Sequence, residues 1–424
     1  MALTTDAPRL IRNIWYVHPY AGGPGVGRYS RPYYLSRQWQ QQGVRATIIT
    51  AAFHHLLDEP QQAGHRRIGG VDYAFLPAHA YQGNGLGRLR NMFGFSARLY
   101  TQAGALRERY GTPDLIIGSS PHPYAFPAVQ AVARRFGAQS VFEVRDLWPL
   151  SLVELAGVSP GHPLVRLTGA IERHAYRRAD YVVSLLPCTR DYMEAAGLPP
   201  AHWRYIPNGV HTDESADAGA GAGEACVQLA LRWRAEGRAV VVYAGALGKP
   251  NHVDSLVKAI ARLKAEGQNH IAAIIVGRGE LQDSLRAEIE AGGLSDQVAL
   301  FGQIPKAAVH TLLASASVGY ISLRPEPLFR FGVSPNKLFD YMLAGLPVLF
   351  AVQAGNDPVG EAGCGVSVNP GDPAAIADGL KQLCLQDEAA RQAMGQRGRD
   401  YVLARHSYEA LAQAYLNLAT EPAA

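Results

Sequence analysis

The feature that most constrains this chain is an alternation, repeated twice, of short apolar runs with segments of helical period. In the first 207 residues the runs NIWYVH, RATIIT, VDYAFLP, DLIIGS, SVFEV and DYVVSLL are too short for buried helices and rich in Val, Ile and Tyr. Helical patterns fall between them, as at Tyr29–Gln42, Tyr124–Phe136 and Leu164–Arg178. A parallel pairing needs a crossover long enough to hold a helix, so this alternation predicts a parallel sheet with helices on both faces. Asn208-Gly209 is then a turn pair, and the small residues of ADAGAGAG offer nothing to a core, so 208–224 reads as a linker. The alternation restarts with AVVVYAG, IAAIIVG, VALFG, VGYISL and PVLFA, with helices near Val253–Ala265 and Glu280–Glu290. The expectation is α/β: two doubly wound domains, 1–207 and 225–406, and a final helix at about 407–424 that can pack back on the first. Such domains leave a cleft, and open parallel sheets bind ligands at the carboxyl ends of their strands, against helix N-termini.

Bulk properties narrow the partners. No run of about 18 apolar residues exists to cross a membrane. The N-terminus lacks the apolar core of a secretory signal. Four widely spaced cysteines fit a reducing cytoplasm better than a disulfide framework or a zinc site. Charge is uneven: residues 1–210 carry 22 arginines, no lysine and 13 acidic residues, a net +9, and the remainder is net −5. A basic half suits an anionic substrate or surface. Nucleic acid is not the expected anion, because no helix-turn-helix, zinc-finger or RNA-binding signature is present. LGRLRNMFGFSARLYTQAGALRER sets Leu89, Met92, Phe93, Leu99 and Leu106 at helical spacing among Arg88, Arg90, Arg98, Arg107 and Arg109. Such a helix either lies on an anionic leaflet or packs on the sheet.

Five loops could carry chemistry. HPYAGGPGVGRYSRP holds Gly22, Gly23, Gly25 and Gly27, which either admit a phosphate or make a tight turn. It is not a dinucleotide fingerprint, since the GxGxxG spacing fails and no acid ends the second strand. In FEVRDLWP, Arg145 and Asp146 follow a strand directly, as ligand groups or as a structural ion pair. YAGALGKPN places Gly245 and Lys249 after a strand, and IIVGRGEL places Gly277 and Arg278 likewise. In GVSPNKLFDYMLAG, Ser334 reads as an N-cap and Pro335 as the first helical residue. The free N–H groups of that turn suit a phosphate. Lys337 and Asp340 would then serve a diphosphate and a ribose diol, or simply pair along the helix. No HExxH and no DxD appear, and GSSPH at Gly118–His122 lacks the final glycine of a GxSxG nucleophile elbow, so a metal site and a serine nucleophile there are not expected.

Taken in order, AGGPGVGR, EVRDLWP, IPNGV, YAGALGK, IVGRGE, LFGQIP and GVSPNKLFDYMLAGLPVL resemble family 4 of the retaining nucleotide-sugar glycosyltransferases. The likeness runs from about Asn13 to Thr420 and is greatest to bacterial members that build O-antigen, capsule and exopolysaccharide. It implies the GT-B fold, two Rossmann-like domains facing a cleft, with the acceptor side N-terminal and the donor side C-terminal. It also implies that Asp340 binds the donor ribose and that Ser334, Pro335 and Asn336 meet the diphosphate or sugar. Lys249, Lys337 and Arg278 would lie near the diphosphate, beside Gly245 and Gly277, and Ile304 near the base. Gly23, Gly25 and Gly27 would face the reacting centre, and Arg145 and Asp146 the acceptor. The sequence departs from the family pattern in four places. Asp340 itself stands where the family has a Glu. Gly332 stands eight residues before Asp340, where the family has its first acid. Ala246 replaces an arginine, and Arg145 replaces a histidine.

The implied activity is metal- and cofactor-independent transfer of a sugar from a UDP- or GDP-sugar to a glycan, probable acceptors being lipid-linked. It would occur in the cytoplasm, peripheral on the inner face of the membrane. The alternative is a non-catalytic GT-B-like subunit of a polysaccharide assembly complex, motivated by Gly332.

Overall fold

The structure, a computed structural model, describes residues 10–83, 85–211 and 223–418. Most of the expected linker, and the last six residues, lie outside these. The chain forms two compact units: one ends at Gly209 and takes the chain back at Tyr408, and the other is Val210–Ser407.

The first unit is built on eight strands: β1 (Asn13–Val17), β2 (Arg45–Ala51), β3 (Gly64–Ile68), β4 (Val71–Leu76), β5 (Leu115–Ser120), β6 (Gln139–Val144), β7 (Tyr181–Ser184) and β8 (Trp203–Tyr205). Their order is β3-β4-β2-β1-β5-β6-β7-β8. Every pairing is parallel except β3 with β4. That exception corrects the all-parallel expectation. Gly69 and Gly70 both take positive φ, 54° and 86°, and close a two-residue hairpin with Ile68 opposite Val71. Strands β1, β5, β6 and β7 are almost wholly buried, as strands covered by helices on both faces must be. The helix Tyr408–Asn417 packs on the helix Arg31–Gln41, with Trp39 Nε1 donating to the carbonyl of Ala412 at 3.0 Å.

The second unit has six parallel strands: β9 (Ala239–Ala244), β10 (Ile271–Val276), β11 (Val298–Phe301), β12 (Val318–Ser322), β13 (Val348–Ala351) and β14 (Gly365–Ser367), in the order β11-β10-β9-β12-β13-β14. In each sheet the connections reverse direction beside a central strand, at β1 and at β9. That is where a doubly wound sheet opens a crevice above its carboxyl edge.

The segment with helical apolar spacing near residue 90 forms two helices, Leu86–Thr101 and Ala103–Tyr110. Met92, Phe95, Leu99 and Leu106 are buried against their own unit, so the apolar face expected to meet lipid is largely used in the core. Phe93 alone of the expected set stays well exposed, at 41%.

Candidate functional site

In the second unit a cavity of 460 Å³ opens at the carboxyl edge of the sheet. It brings together Gly245 after β9, Gly277 and Arg278 after β10, Ile304 after β11, and Asp340 from the helix Asn336–Leu343. The sequence reading had singled out all five. The glycines allow two loops to touch. Gly245 N–H donates to Val276 O, Leu247 N–H to Arg278 O, and Leu281 N–H to Leu247 O, at 2.9–3.0 Å. A Cβ on Gly277 would stand 1.8 Å from Gly245 O, and one on Gly279 would meet Leu247 backbone at 2.4 Å. The two loops thus fix one another and hold Arg278 at the rim.

Lys337 does not lie along its helix toward Asp340. Its ammonium turns inward, donating to Tyr243 Oη at 2.9 Å and to Asn251 Oδ1 at 2.6 Å. It also packs against Gly245, where a Cβ would come within 3.2 Å of Cε and Nζ. Burial disfavours its charged form and lowers its pKa to about 8. Tyr243 and Asn251 are the first and last residues of YAGALGKPN, where Gly245 and Lys249 are the ones the sequence points to; only the fold brings them to the lysine.

The helix begins one residue later than its sequence suggests. Pro335 occupies the cap position with ψ 123°, and Asn336 is the first helical residue, so Ser334 is not the cap. Asn356 holds the approach: its Oδ1 accepts from Val333 N–H at 2.8 Å and its Nδ2 donates to Val333 O at 3.1 Å. Lys249 is exposed, on a short 3₁₀ turn, with its backbone N–H on Glu280 Oε1 at 3.1 Å. Arg278 and Asp340 line the cavity and Lys337 adjoins it at Gly245, while Ser334, Pro335, Asn336 and Lys249 are not among its lining residues; a guanidinium suits a phosphate, and Asp340 can accept from a diol.

The first unit gathers a different set above β1, β5 and β6. The glycine loop bonds to itself and to its neighbour. The N–H groups of Gly22, Gly23, Val26, Gly27 and Arg28 donate to Tyr29 O, Gly27 O, Gly23 O, Gly23 O and Leu56 O. These five amides are used within the turn and on its neighbour, which favours the tight-turn reading of the loop. A Cβ on Gly27 would stand 2.5 Å from Leu56 O, and Gly25 turns with φ 66°. Arg145 is not ion-paired with the exposed Asp146; its guanidinium stacks 3.9 Å over the Tyr29 ring.

Beside it are two histidines that motif reading missed. His18 Nδ1 accepts from Tyr20 N–H at 3.0 Å, so its Nε2 carries the proton, and that donor meets no acceptor among the described residues. Neither nitrogen of His122 has a partner there. Burial, reinforced by Arg145, holds His18 well below its usual pKa, and burial with Arg88 brings His122 to about 3. Both are therefore neutral at pH 7. His54 has both nitrogens occupied, by Ala21 O and Leu56 N–H, and is structural. Buried polar atoms without partners call for water or a ligand. His18 directly follows β1, the same cue that points to Arg145, while His122 stands two residues beyond β5.

Two family models match the chain: "Glycosyl transferase 4-like domain" over residues 25–209 and "Glycosyl transferases group 1" over 238–386. The chain belongs to the family 4 glycosyltransferases. A probable glycosyltransferase, WbjE of Pseudomonas aeruginosa, is 25% identical over 309 residues, 72% of each chain. A GDP-mannose-dependent α-(1-6)-phosphatidylinositol monomannoside mannosyltransferase of Mycobacterium tuberculosis is 27% identical over 311 residues, 68% of this chain and 78% of that one. Among solved structures, sucrose-phosphate synthase of Thermosynechococcus elongatus superposes with TM-score 0.67 over 96% of this glycosyltransferase and 98% of its own chain, at 20% identity. HepE of Anabaena in complex with UDP-glucose gives 0.59 over 95% and 97%, at 17%. These likenesses show that the glycosyltransferase has the GT-B fold.

Proposed function

We propose that this glycosyltransferase moves a sugar, with retention and without a metal, from a UDP- or GDP-sugar to a lipid-linked glycan in bacterial cell-surface polysaccharide synthesis. Residues 225–406 serve the donor and 1–207 the acceptor. The observation that carries the reading is the 460 Å³ cavity, in which Arg278 and Asp340 stand over Gly245, Gly277 and Ile304 with Lys337 adjoining. Support for the donor comes from HepE, solved with UDP-glucose, and support for the pathway from a putative colanic acid biosynthesis glycosyl transferase of Escherichia coli, 22% identical over 291 residues.

Asp340 anchors the ribose, Ile304 borders the base, and the Ser334–Pro335–Asn336 turn meets the diphosphate. As the bond from C1 to the diphosphate breaks, negative charge grows on the leaving oxygen. Arg278, Lys337, Lys249 and the helix N–H groups stabilise that charge. The acceptor oxygen bonds to C1 on the face the diphosphate leaves, and its proton passes to a diphosphate oxygen. His18, His122, Arg145 and Asp146 orient the acceptor hydroxyls. No helix of the described residues is long and apolar enough to cross a membrane. Contact with the inner leaflet would be peripheral, through Leu86, Phe93 and Tyr100.

Calorimetric titration of UDP and GDP into the full chain tests the reading. Micromolar binding of one of them supports it. Binding of neither overturns it. Binding without transfer across a broad donor and acceptor panel would favour the assembly-subunit alternative.

A further inference from the structure

A second cavity, of 520 Å³, opens on the same carboxyl edge of the second sheet, between the loops that follow β12 and β13. It is lined by Glu326 and Arg330 on one side and by Gln353 and Gly355 on the other, with Pro325 and Pro327 as apolar walls. The carboxylate of Glu326 and the amide of Gln353 make no side-chain hydrogen bond or ion pair among the described residues. Structural carboxylates in this unit are used otherwise: Asp254 holds Lys258 at 2.7 Å, and Asp357 caps a helix through Gly360 N–H.

The walls are stitched to the donor cavity. Gly355 N–H donates to Phe329 O at 2.8 Å, and Asn356 clasps Val333, immediately before the Ser334–Asn336 turn. On the other flank Arg324 N–H donates to Pro250 O at 2.9 Å and Ser322 Oγ to Asn251 O at 2.7 Å, while Asn251 Oδ1 accepts from Lys337. A ligand seated by Lys337 and the helix start therefore has this second cavity fixed beside it by these backbone and side-chain bonds. An acceptor-only carboxylate, an amide and two proline faces are the groups that recognise a neutral sugar ring, by its hydroxyls and its C–H face.

We propose that this cavity is the subsite for the sugar of the donor, with Glu326 accepting a hydrogen bond from a sugar hydroxyl and Gln353 completing its recognition. The assignment rests on the donor reading above and adds the residues that select the sugar.

The test compares bare UDP and GDP with UDP-glucose, UDP-N-acetylglucosamine and GDP-mannose, titrated into the full-length wild type, Glu326→Gln and Gln353→Ala. The expected result is that Glu326→Gln weakens the preferred nucleotide-sugar by about 10- to 100-fold. The bare nucleotide keeps its affinity within about twofold, which also shows that the variant folds. Equal weakening of both ligands, or of neither, overturns the subsite and leaves the donor reading standing. A wild type that binds no nucleotide overturns the donor reading and the subsite with it.

Discussion

The two sheets of this glycosyltransferase treat their polar groups in opposite ways. In the first unit a charged pair is sealed inside. Arg31 Nε lies 3.2 Å from Glu143 Oε2, the two side chains being 3% and 0% exposed. Tyr16, Ser119 and Tyr415 all donate to the same carboxylate. Burial alone would raise the pKa of Glu143; Arg31 and these hydroxyls outweigh it and hold it below the usual carboxylate value. Arg31 also reaches the carbonyls of Ile206 and Pro207, so one pair binds β1, β6, the end of the first unit and the returning helix. In the second unit backbone groups and the side chains of Asn356, Ser322 and Lys337 do the stitching, and Arg278, Asp340 and Glu326 stand at cavity walls. One carboxylate is sealed into the architecture of the first unit, and two stand at cavity walls in the second.

The largest expected effect tests the sealed pair. Glu143→Leu leaves Arg31 buried and uncompensated, which should cost about 3–5 kcal/mol in denaturant unfolding of the first unit. The double change Arg31→Met with Glu143→Leu should recover most of that loss, because the unpaired charge is gone. A single-mutant loss under about 1 kcal/mol would show that the pair is not what holds the helix Tyr408–Asn417. Asp340→Ala should do the reverse. It weakens nucleotide binding by about 1.5–3 kcal/mol in calorimetry, as for hydrogen bonds to a charged group, more than it lowers unfolding stability. His122→Ala should not alter nucleotide affinity; if it does, the division of roles between the units is wrong.

Lys337 sharpens the contrast, being the cation of the donor site that burial has partly discharged. Its pKa is lowered to about 8, and a diphosphate favours the protonated form, so binding takes up a proton. Affinity should therefore be full below about pH 7.5 in this group. It should fall as pH rises through 8, by up to about tenfold per pH unit, until the bound lysine itself deprotonates. Lys337→Met should bind weakly with no such slope. A wild-type profile flat from pH 7 to 9 would mean that Lys337 does not meet the nucleotide.

The alternation of apolar runs made both sheets legible, because a buried parallel strand can be written in few ways. The antiparallel β3 was not: its residues His65, Arg66 and Arg67 are exposed and carry no apolar pattern, and only Gly69-Gly70 marked the hairpin. Gly245, Gly277 and Arg278 could be read because each follows a strand, and Asp340 because it lies one turn from Lys337 on a helix, whereas Ile304 came from the family resemblance alone. Tyr243 and Asn251 could not, since their role depends on where Lys337 turns. The glycine loop left two readings for a physical reason. Glycine permits close approach, and sequence does not say whether the approaching group is a ligand or the carbonyl of Leu56.

The smallest expected effect concerns the first unit's surface, where its arginines outnumber its acids. Leu86, Phe93 and Tyr100 are 83%, 41% and 49% exposed on the helix Leu86–Thr101. Spaced seven residues apart, they form one stripe along it, with the exposed Arg90 one turn from Leu86. Each arginine near an anionic leaflet contributes about 1 kcal/mol, falling with salt. The full chain should therefore co-sediment with vesicles containing phosphatidylserine or phosphatidylglycerol at low salt and release as salt rises. Arg90→Glu should lower the bound fraction by about fivefold, and Phe93→Ser should lower it without changing the salt slope. These substitutions touch neither the buried pair nor the donor cavity, so nucleotide affinity and unfolding should stay as in the wild type. If Phe93→Ser and Arg90→Glu leave vesicle binding unchanged, the stripe is ordinary surface, and the positive charge of the first unit serves the acceptor alone.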